Sequence, residues 1–107
     1  MWAAGLFEGE GCFTTSIRND PRYRNGHRVV KASLVMTDED PVRRFHRAVG
    51  LGGVYEYQTQ RGRPCWCWAT QSREGVQAVV AMLWDGLGIR RRARAKEVLR
   101  LGWNIGF

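Results

Sequence analysis

The chain has 107 residues, of which 44% are hydrophobic and 25% are charged, and its formal net charge is +7. This length provides one small domain, and no apolar run reaches the roughly 18 residues that a membrane-spanning helix needs. The excess of positive charge favours a polyanionic partner, most simply nucleic acid.

The N-terminus has no basic region before its apolar residues, and acidic residues follow at once, which argues against a secretory signal peptide. We therefore expect a cytoplasmic protein without a membrane partner. The cysteines Cys12, Cys65 and Cys67 do not have zinc-ligand spacing with one another or with the two histidines. We expect all three to be small core residues.

The first predicted element is an apolar helix that begins at Trp2 and ends in two acidic residues, Glu8 and Glu10. A helix that is apolar on every face is expected to be buried all round. Gly5 and Gly9 lie four residues apart, so a second backbone can approach closely on that side. Carboxylates at the negative end of a helix need positive compensation. These features favour a metal site beside a helix–helix contact.

A hairpin is predicted next, with strands over residues 12–18 and 29–36, because apolar and polar residues alternate in both segments. The polar turn between the strands carries Arg22 and Arg24. Asp40 has the position of a helix N-cap before a proline, and it predicts a helix that ends near residue 50.

A second hairpin follows, with strands over residues 54–60 and 65–70 and a basic turn that contains Arg61 and Arg63. A third helix is expected to begin after Ser72 and a last one to extend from Arg90 to Trp103. This order, with no linker or repeat, predicts a single α+β domain over residues 1–107, with one sheet and helices on one side.

The nine residues from Ala3 to Gly11 resemble the signature helix of the LAGLIDADG homing endonucleases. Glu8 and Glu10 stand at the two aspartates of that motif, and four positions match it outright: Ala4, Gly5, Leu6 and Gly11. The predicted element order is that of one LAGLIDADG domain, so the resemblance covers nearly the whole chain. It implies an αββαββα(α) domain with a curved antiparallel sheet backed by helices.

The resemblance also implies a function: site-specific, metal-dependent cleavage of double-stranded DNA at a long target read by the sheet. One motif supplies one site-bearing helix, so the chain would act as a homodimer. The resemblance further implies a role in intron or intein mobility, in a bacterial, phage or organellar DNA compartment. The expected cofactor is Mg²⁺ or Mn²⁺. The expected dimer contact comprises Ala4, Gly5, Glu8 and Gly9.

The same resemblance assigns roles to individual side chains. Glu10 aligns with the second aspartate and is the expected catalytic metal ligand. Glu8 aligns with the first, as a secondary ligand or, alternatively, a solvated or capping carboxylate. Asp38 would position the metal's water, with helix capping as its alternative role. Arg90 would be an electrostatic clamp on the phosphate, with Arg91 as the alternative residue, because a guanidinium does not readily exchange a proton.

The outer face of the sheet is the predicted DNA-reading surface, because an antiparallel ribbon fits the major groove. Its candidate contacts are Thr14, Ser16, Arg18, Lys31, Ser33, Glu56 and Gln58. The turn residues Arg22, Arg24, Arg61 and Arg63 are expected to contact phosphates. Trp66 and Trp68 either face DNA or belong to the core. The alternative function is a catalytically inactive LAGLIDADG-like DNA- or RNA-binding protein, of maturase type or a regulator.

Overall fold

The computed structural model describes residues 2–19, 21, 22, 24, 27–59 and 61–104. Its elements in chain order are α1 (Trp2–Glu10), β1 (Gly11–Arg18), β2 (His27–Met36), α2 (Glu39–Val49), β3 (Gly53–Gln58), β4 (Pro64–Thr70), α3 (Arg73–Leu83), a 3-10 turn (Trp84–Gly86) and α4 (Ile89–Asn104). The strands form one antiparallel sheet in the order β1-β2-β4-β3. The predicted α+β class and element order are confirmed. Gln60, the last residue of the predicted third strand, lies outside the described residues.

The hydrophobic core lies between one face of the sheet and the helices. Phe13 of β1 and Trp68 of β4 are buried there, against Phe7 of α1 and Phe45 of α2. The Phe45 and Trp68 rings meet edge to face with centroids 4.8 Å apart, an arrangement that aromatic pairs favour. The Trp68 indole N–H donates a hydrogen bond to the backbone oxygen of Leu51 at 2.9 Å, so its polar atom is satisfied inside the core.

The tryptophans of β4 therefore face the helices, on the side opposite the predicted DNA-reading face. Trp68 is 0% exposed, and Trp66 is partly buried against the same core. The guanidinium of Arg43 on α2 lies 5.2 Å from the Trp66 ring centroid, which places this ring on the helical side. The DNA-facing alternative for these two residues is wrong, because burying two large rings against α2 stabilises the arrangement in which both project toward the helices.

The alternation of side chains along β4 also determines which residues of its neighbour β3 face away from the helices. Glu56 pairs with Trp66 and Gln58 with Pro64, so both polar side chains lie on the helical side of the sheet. Tyr55 pairs with Cys67, and this pair shares the open face. The prediction that Glu56 and Gln58 face DNA is therefore wrong, since paired residues in a sheet project to the same side.

The helix starts follow from side-chain capping. Ser72 accepts a hydrogen bond from the Gly75 N–H at 2.9 Å and begins α3 as predicted. For α2 the cap is Asp38, whose Oδ1 accepts from the Asp40 N–H at 3.4 Å, so this helix begins earlier than predicted. Gly50 ends α2 in the left-handed conformation at φ 72°, which glycine adopts without strain. No helix in the described part of the chain has the length and hydrophobicity needed to cross a membrane.

Candidate nucleic-acid interface and acidic site

Glu10 is the last residue of α1, and β1 begins at the next position. A Cβ atom at Gly11 would overlap the ring of Phe7, so glycine is required where the helix passes directly into the strand. Phe7 is fully buried, with its ring centroid 4.9 Å from that of Phe13. Glu10 is thus fixed at a rigid junction but exposed. Among the described residues, nothing forms a hydrogen bond or ion pair with its carboxylate.

Glu8 is turned toward the rest of the domain. Its Oε2 accepts a hydrogen bond from the Gly88 N–H at 2.9 Å, at the start of α4. A Cβ at Gly88 would lie 2.7 Å from Glu8 Oε1, so glycine permits this close approach. The positive end of α4 compensates a carboxylate that would be unfavourable at the end of α1. Glu8 thus has the capping role that the sequence left open, and its assignment as a secondary metal ligand stays a prediction.

Two arginines of α4 also bind the backbone around the end of α1. The Arg91 Nε donates to the carbonyl oxygen of Glu8 at 3.2 Å, and the Arg94 Nε donates to that of Phe13 at 3.1 Å. Arg91 thereby satisfies a carbonyl in the last turn of α1, where helical partners are missing. Arg90, the predicted phosphate clamp, is exposed in the first turn of α4. Arg91 is therefore structural, which favours Arg90 over its alternative.

Among the described residues, few side chains near Glu10 could act as metal ligands. The described residues contain no cluster of three or more His, Cys, Asp or Glu side chains that could hold a metal ion. Asp38 caps α2, in agreement with its alternative role. Of the predicted ligands, Glu10 has a carboxylate without a partner among the described residues. A lone carboxylate fits Mg²⁺, which is often bound by one or two carboxylates together with water and substrate phosphates.

One side of α1 is exposed, in contrast to the prediction of a helix buried all round. Gly5 and Gly9 lie on this side, and no atom lies within 4 Å of a Cβ placed on either glycine. Trp2, which is 43% exposed, continues the strip, and the guanidinium of Arg44 lies 4.6 Å from its ring centroid. We call Trp2, Gly5 and Gly9 the α1 strip. It is a flat apolar surface that a second helix can approach closely.

Ala4 and Glu8, the other two predicted dimer residues, are directed away from this strip. Ala4 is 1% exposed, and a Cβ added to Gly86 in the 3-10 turn would overlap the Cβ of Ala4. Glu8 binds α4. Their assignment to the dimer contact is corrected, because helical geometry places them on the face that packs inside the domain.

The open face of the sheet has two chemically different halves. The half formed by β1 and β2 carries hydroxyl and ammonium groups, and Thr14 pairs directly with Lys31. We call it the polar half-face and define it by Thr14, Ser16, Lys31 and Ser33. At its edge, the Arg18 guanidinium donates a hydrogen bond to the Gln71 side chain at 3.4 Å. These residues occupy the face on which the sequence placed them.

The other half is apolar and aromatic, and sequence analysis did not identify it. We call it the apolar half-face; it comprises Val35 of β2 with Tyr55, Tyr57, Cys65 and Cys67. The Tyr55 hydroxyl and Cys67 thiol are hydrogen-bonded at 3.2 Å. This bond, followed by burial, raises the pKa of Tyr55 to about 12, so the phenol is neutral at physiological pH.

The arrangement of the open face determines where the three cysteines lie. Cys65 and Cys67 are buried, as predicted, but on the face opposite the helices, where the tyrosine side chains share their surface. Cys12 is exposed, so the prediction that it belongs to the core is wrong. Cys12 pairs with Ser33 on the open face, which is the side that the helices leave uncovered.

The turn between β3 and β4 presents two exposed arginines, Arg61 and Arg63. Hydrogen bonds from Gly62 N–H to Thr59 O at 2.8 Å and from Thr59 N–H to Arg63 O at 2.9 Å hold the turn closed. Gly62 has φ 77°, a conformation that favours glycine. In the first hairpin, Arg22 and Arg24 lie in the corresponding exposed turn. All four predicted phosphate-contacting arginines are therefore at hairpin tips.

Solved structures of LAGLIDADG homing endonucleases have this same architecture. The chain superposes on I-CvuI in complex with its target DNA in the presence of calcium with a TM-score of 0.77 and 21% identity, over 95% of this chain and 64% of I-CvuI. For the homing endonuclease I-TnaI the values are 0.78, 17%, 95% and 69%. For the LAGLIDADG meganuclease I-CpaMI bound to uncleaved DNA they are 0.75, 14%, 96% and 38%.

The chain thus spans less than two thirds of the length of I-CvuI and little more than a third of I-CpaMI. No protein-family model matches the sequence, and no curated protein is similar enough to match it. The agreement with solved structures extends over nearly the whole of this chain, from α1 to α4. This chain therefore adopts the LAGLIDADG homing endonuclease fold.

Proposed function

We propose that this chain is one subunit of a homodimeric, metal-dependent endonuclease that cuts double-stranded DNA at a specific site. The observation that carries the proposal is Glu10, an exposed carboxylate fixed at the end of α1 with no partner among the described side chains. The α1 strip lies on the same helix and is open to a second copy. Packing two copies through Gly5 and Gly9 would bring the two Glu10 residues to one end of the contact.

The open face supports duplex DNA as the substrate. Two antiparallel hairpins form a ribbon of the kind that enters the major groove. The arginines at the hairpin tips would contact phosphates and fix the position of the ribbon. The net charge of +7 favours such a polyanion. I-CvuI and I-CpaMI, which share this fold, are each observed on DNA.

In the dimer, the Glu10 carboxylates of the two copies would hold Mg²⁺ or Mn²⁺. When bound, the metal activates water and stabilises the leaving oxygen of the phosphodiester. Glu8 and Arg91 position the end of α1 through their bonds with α4. Arg90 offers a permanent positive charge to the phosphate, since its guanidinium stays protonated.

A protein that binds DNA or RNA without cutting is the alternative, and the position of Asp38 favours it. The carboxylate of Asp38 caps α2 by accepting a hydrogen bond from the Asp40 N–H at 3.4 Å. The described residues contain no cluster of acidic side chains that could position the water in its place. The alternative keeps the fold, the α1 strip and the open face, and differs only in lacking cleavage.

Cleavage of a random duplex library tests the proposal. The full chain is incubated with the library in Mg²⁺ or in EDTA, and the resulting DNA ends are sequenced. We expect one cleavage motif that appears only with the metal. Enrichment of a bound duplex that is never cut would favour the binding alternative, and absence of both would reject DNA as the substrate.

A further inference from the structure

The apolar half-face lacks the polar side chains that a DNA-reading surface is expected to present. Tyr55 is 45% exposed, Tyr57 is 39% exposed and Val35 is 38% exposed, so this surface is accessible in the monomer. Its two cysteines are buried beneath them. None of these five side chains is charged. An accessible aromatic and aliphatic surface on the face proposed to meet base edges suits a partner that presents apolar groups.

The orientation of Tyr55 determines what this surface presents. Its hydroxyl reaches across to its cross-strand partner Cys67, at 3.2 Å, and does not extend away from the sheet. The ring therefore covers Cys67, which is only 2% exposed. Tyr57 lies beside it, with the two ring centroids 6.4 Å apart. The hydroxyl of Tyr55 is occupied within the protein, and ring carbon atoms form the exposed surface.

Basic groups on both sides of this surface would hold a duplex against it. Arg61 and Arg63 stand at the tip of the hairpin that contains the tyrosines. Lys31 and Arg18 lie across the sheet on the neighbouring hairpin. This distribution is complementary to two phosphate strands with base edges between them.

The major groove presents one apolar group among its base edges, the C5-methyl of thymine. We propose that the apolar half-face reads thymine methyl groups, while the polar half-face reads hydrogen-bonding base edges. The proposal rests on the proposed DNA-binding function and specifies the chemistry that each half-face recognises. It places thymines in the part of the target that lies against β3 and β4.

Replacement of thymine by deoxyuridine tests this directly, because it removes the methyl group and keeps the base pair. Duplexes are first selected from a random library with the full wild-type chain, and each thymine of the selected duplex is then replaced in turn. Burial of one methyl contributes about 0.8 kcal/mol, so we expect about fourfold weaker binding for each contacted thymine. This comparison uses the unaltered protein and does not depend on the folding of a variant.

Two variants assign the effect to the surface. Tyr55→Ala and Tyr57→Ala should each lose the preference for thymine over uracil at one or more positions. Met82→Ala, which removes a 40% exposed apolar side chain from α3 on the helical side of the sheet, is the matched control and should retain the preference. Equal binding of thymine and uracil duplexes by the wild type would overturn thymine reading and leave DNA binding intact. A preference lost in Met82→Ala but kept in both tyrosine variants would also overturn it. Failure to select any duplex would reject the proposed function itself.

Discussion

The carboxylate of Glu8 and the backbone N–H of Gly88 are joined by a hydrogen bond of 2.9 Å between α1 and the start of α4. A residue at an aspartate position of the signature motif is thus engaged in helix capping. Removing its charge should cost about 1 kcal/mol of unfolding free energy, as for other charged helix caps. We expect this loss for Glu8→Gln in urea denaturation, with no loss for Glu10→Gln. An altered Mg²⁺ concentration for half-maximal cleavage in Glu8→Gln would show that Glu8 is also a metal ligand.

Glu10→Gln should abolish Mg²⁺-dependent cleavage and leave DNA binding in place. The substitution keeps the size of the side chain and removes the charge that the metal needs. It also removes repulsion between the carboxylate and phosphates, so binding without metal should be equal or tighter. Gel-based cleavage and binding assays measure both effects. Glu56→Gln, an exposed carboxylate on β3, is the control and should cut like the wild type; equal cutting by Glu10→Gln would remove Glu10 from the site.

Gly5→Leu should prevent dimerisation while the domain remains folded. No neighbouring atom lies within 4 Å of a Cβ at Gly5, so the monomer accommodates the side chain, whereas a second helix packed there would be displaced. Sedimentation velocity with and without DNA measures the state of assembly. Ala81→Leu, at an exposed position of α3, should remain dimeric. If Gly5→Leu forms the same dimer as the wild type, the α1 strip is not the interface.

Changing Arg61 and Arg63 together to Ala should reduce the salt dependence of DNA binding. Each lost phosphate contact lowers the slope of log affinity against log salt concentration by about 0.9. Fluorescence anisotropy over a series of salt concentrations measures this slope. The double variant of Arg47 and Arg100 removes the same charge from exposed helical positions and should change the slope less. Equal slopes for the two variants would show that the hairpin tip makes no special contact.

Gly86→Ala should destabilise the domain by about 1–3 kcal/mol, as overpacking does in other cores. The added methyl would overlap Ala4, which is buried at the contact between α1 and the 3-10 turn. Gly53→Ala is the control, because no atom lies within 4 Å of a Cβ there. Thermal unfolding measures both variants. Similar melting temperatures would show that α1 moves easily to accept the methyl group.

Sequence reasoning succeeded where periodicity and end signals agreed. Alternation in β2 correctly placed Val30 and Leu34 inside, and Ser72 correctly marked the start of α3. Sequence reasoning failed in β3 because the residues on either face of that strand are compatible with exposure to solvent. Tyr55 and Glu56 each tolerate solvent, and their sides are determined by the burial of Trp68 on the paired strand.

The candidate site was predictable only in part for a similar reason. Glu10 and Gly5 are found in the motif, and their exposure agrees with the expected roles. The capping of Glu8 depends on Gly88, which is 80 residues away, and no local pattern reveals that contact. The same holds for Arg91, whose hydrogen bond to the end of α1 can be seen only after the helices are packed.

The bonds between α4 and the end of α1 also bear on when the protein becomes competent during synthesis. They join residues 80, 81 and 83 positions apart in the chain. At about 5–20 residues per second, the ribosome needs roughly 4–16 s to pass from α1 to α4. Throughout that interval the nascent chain contains its acidic motif without the helix that positions it. We expect, therefore, that an incomplete chain released by the ribosome has no ordered Glu10 to present to DNA.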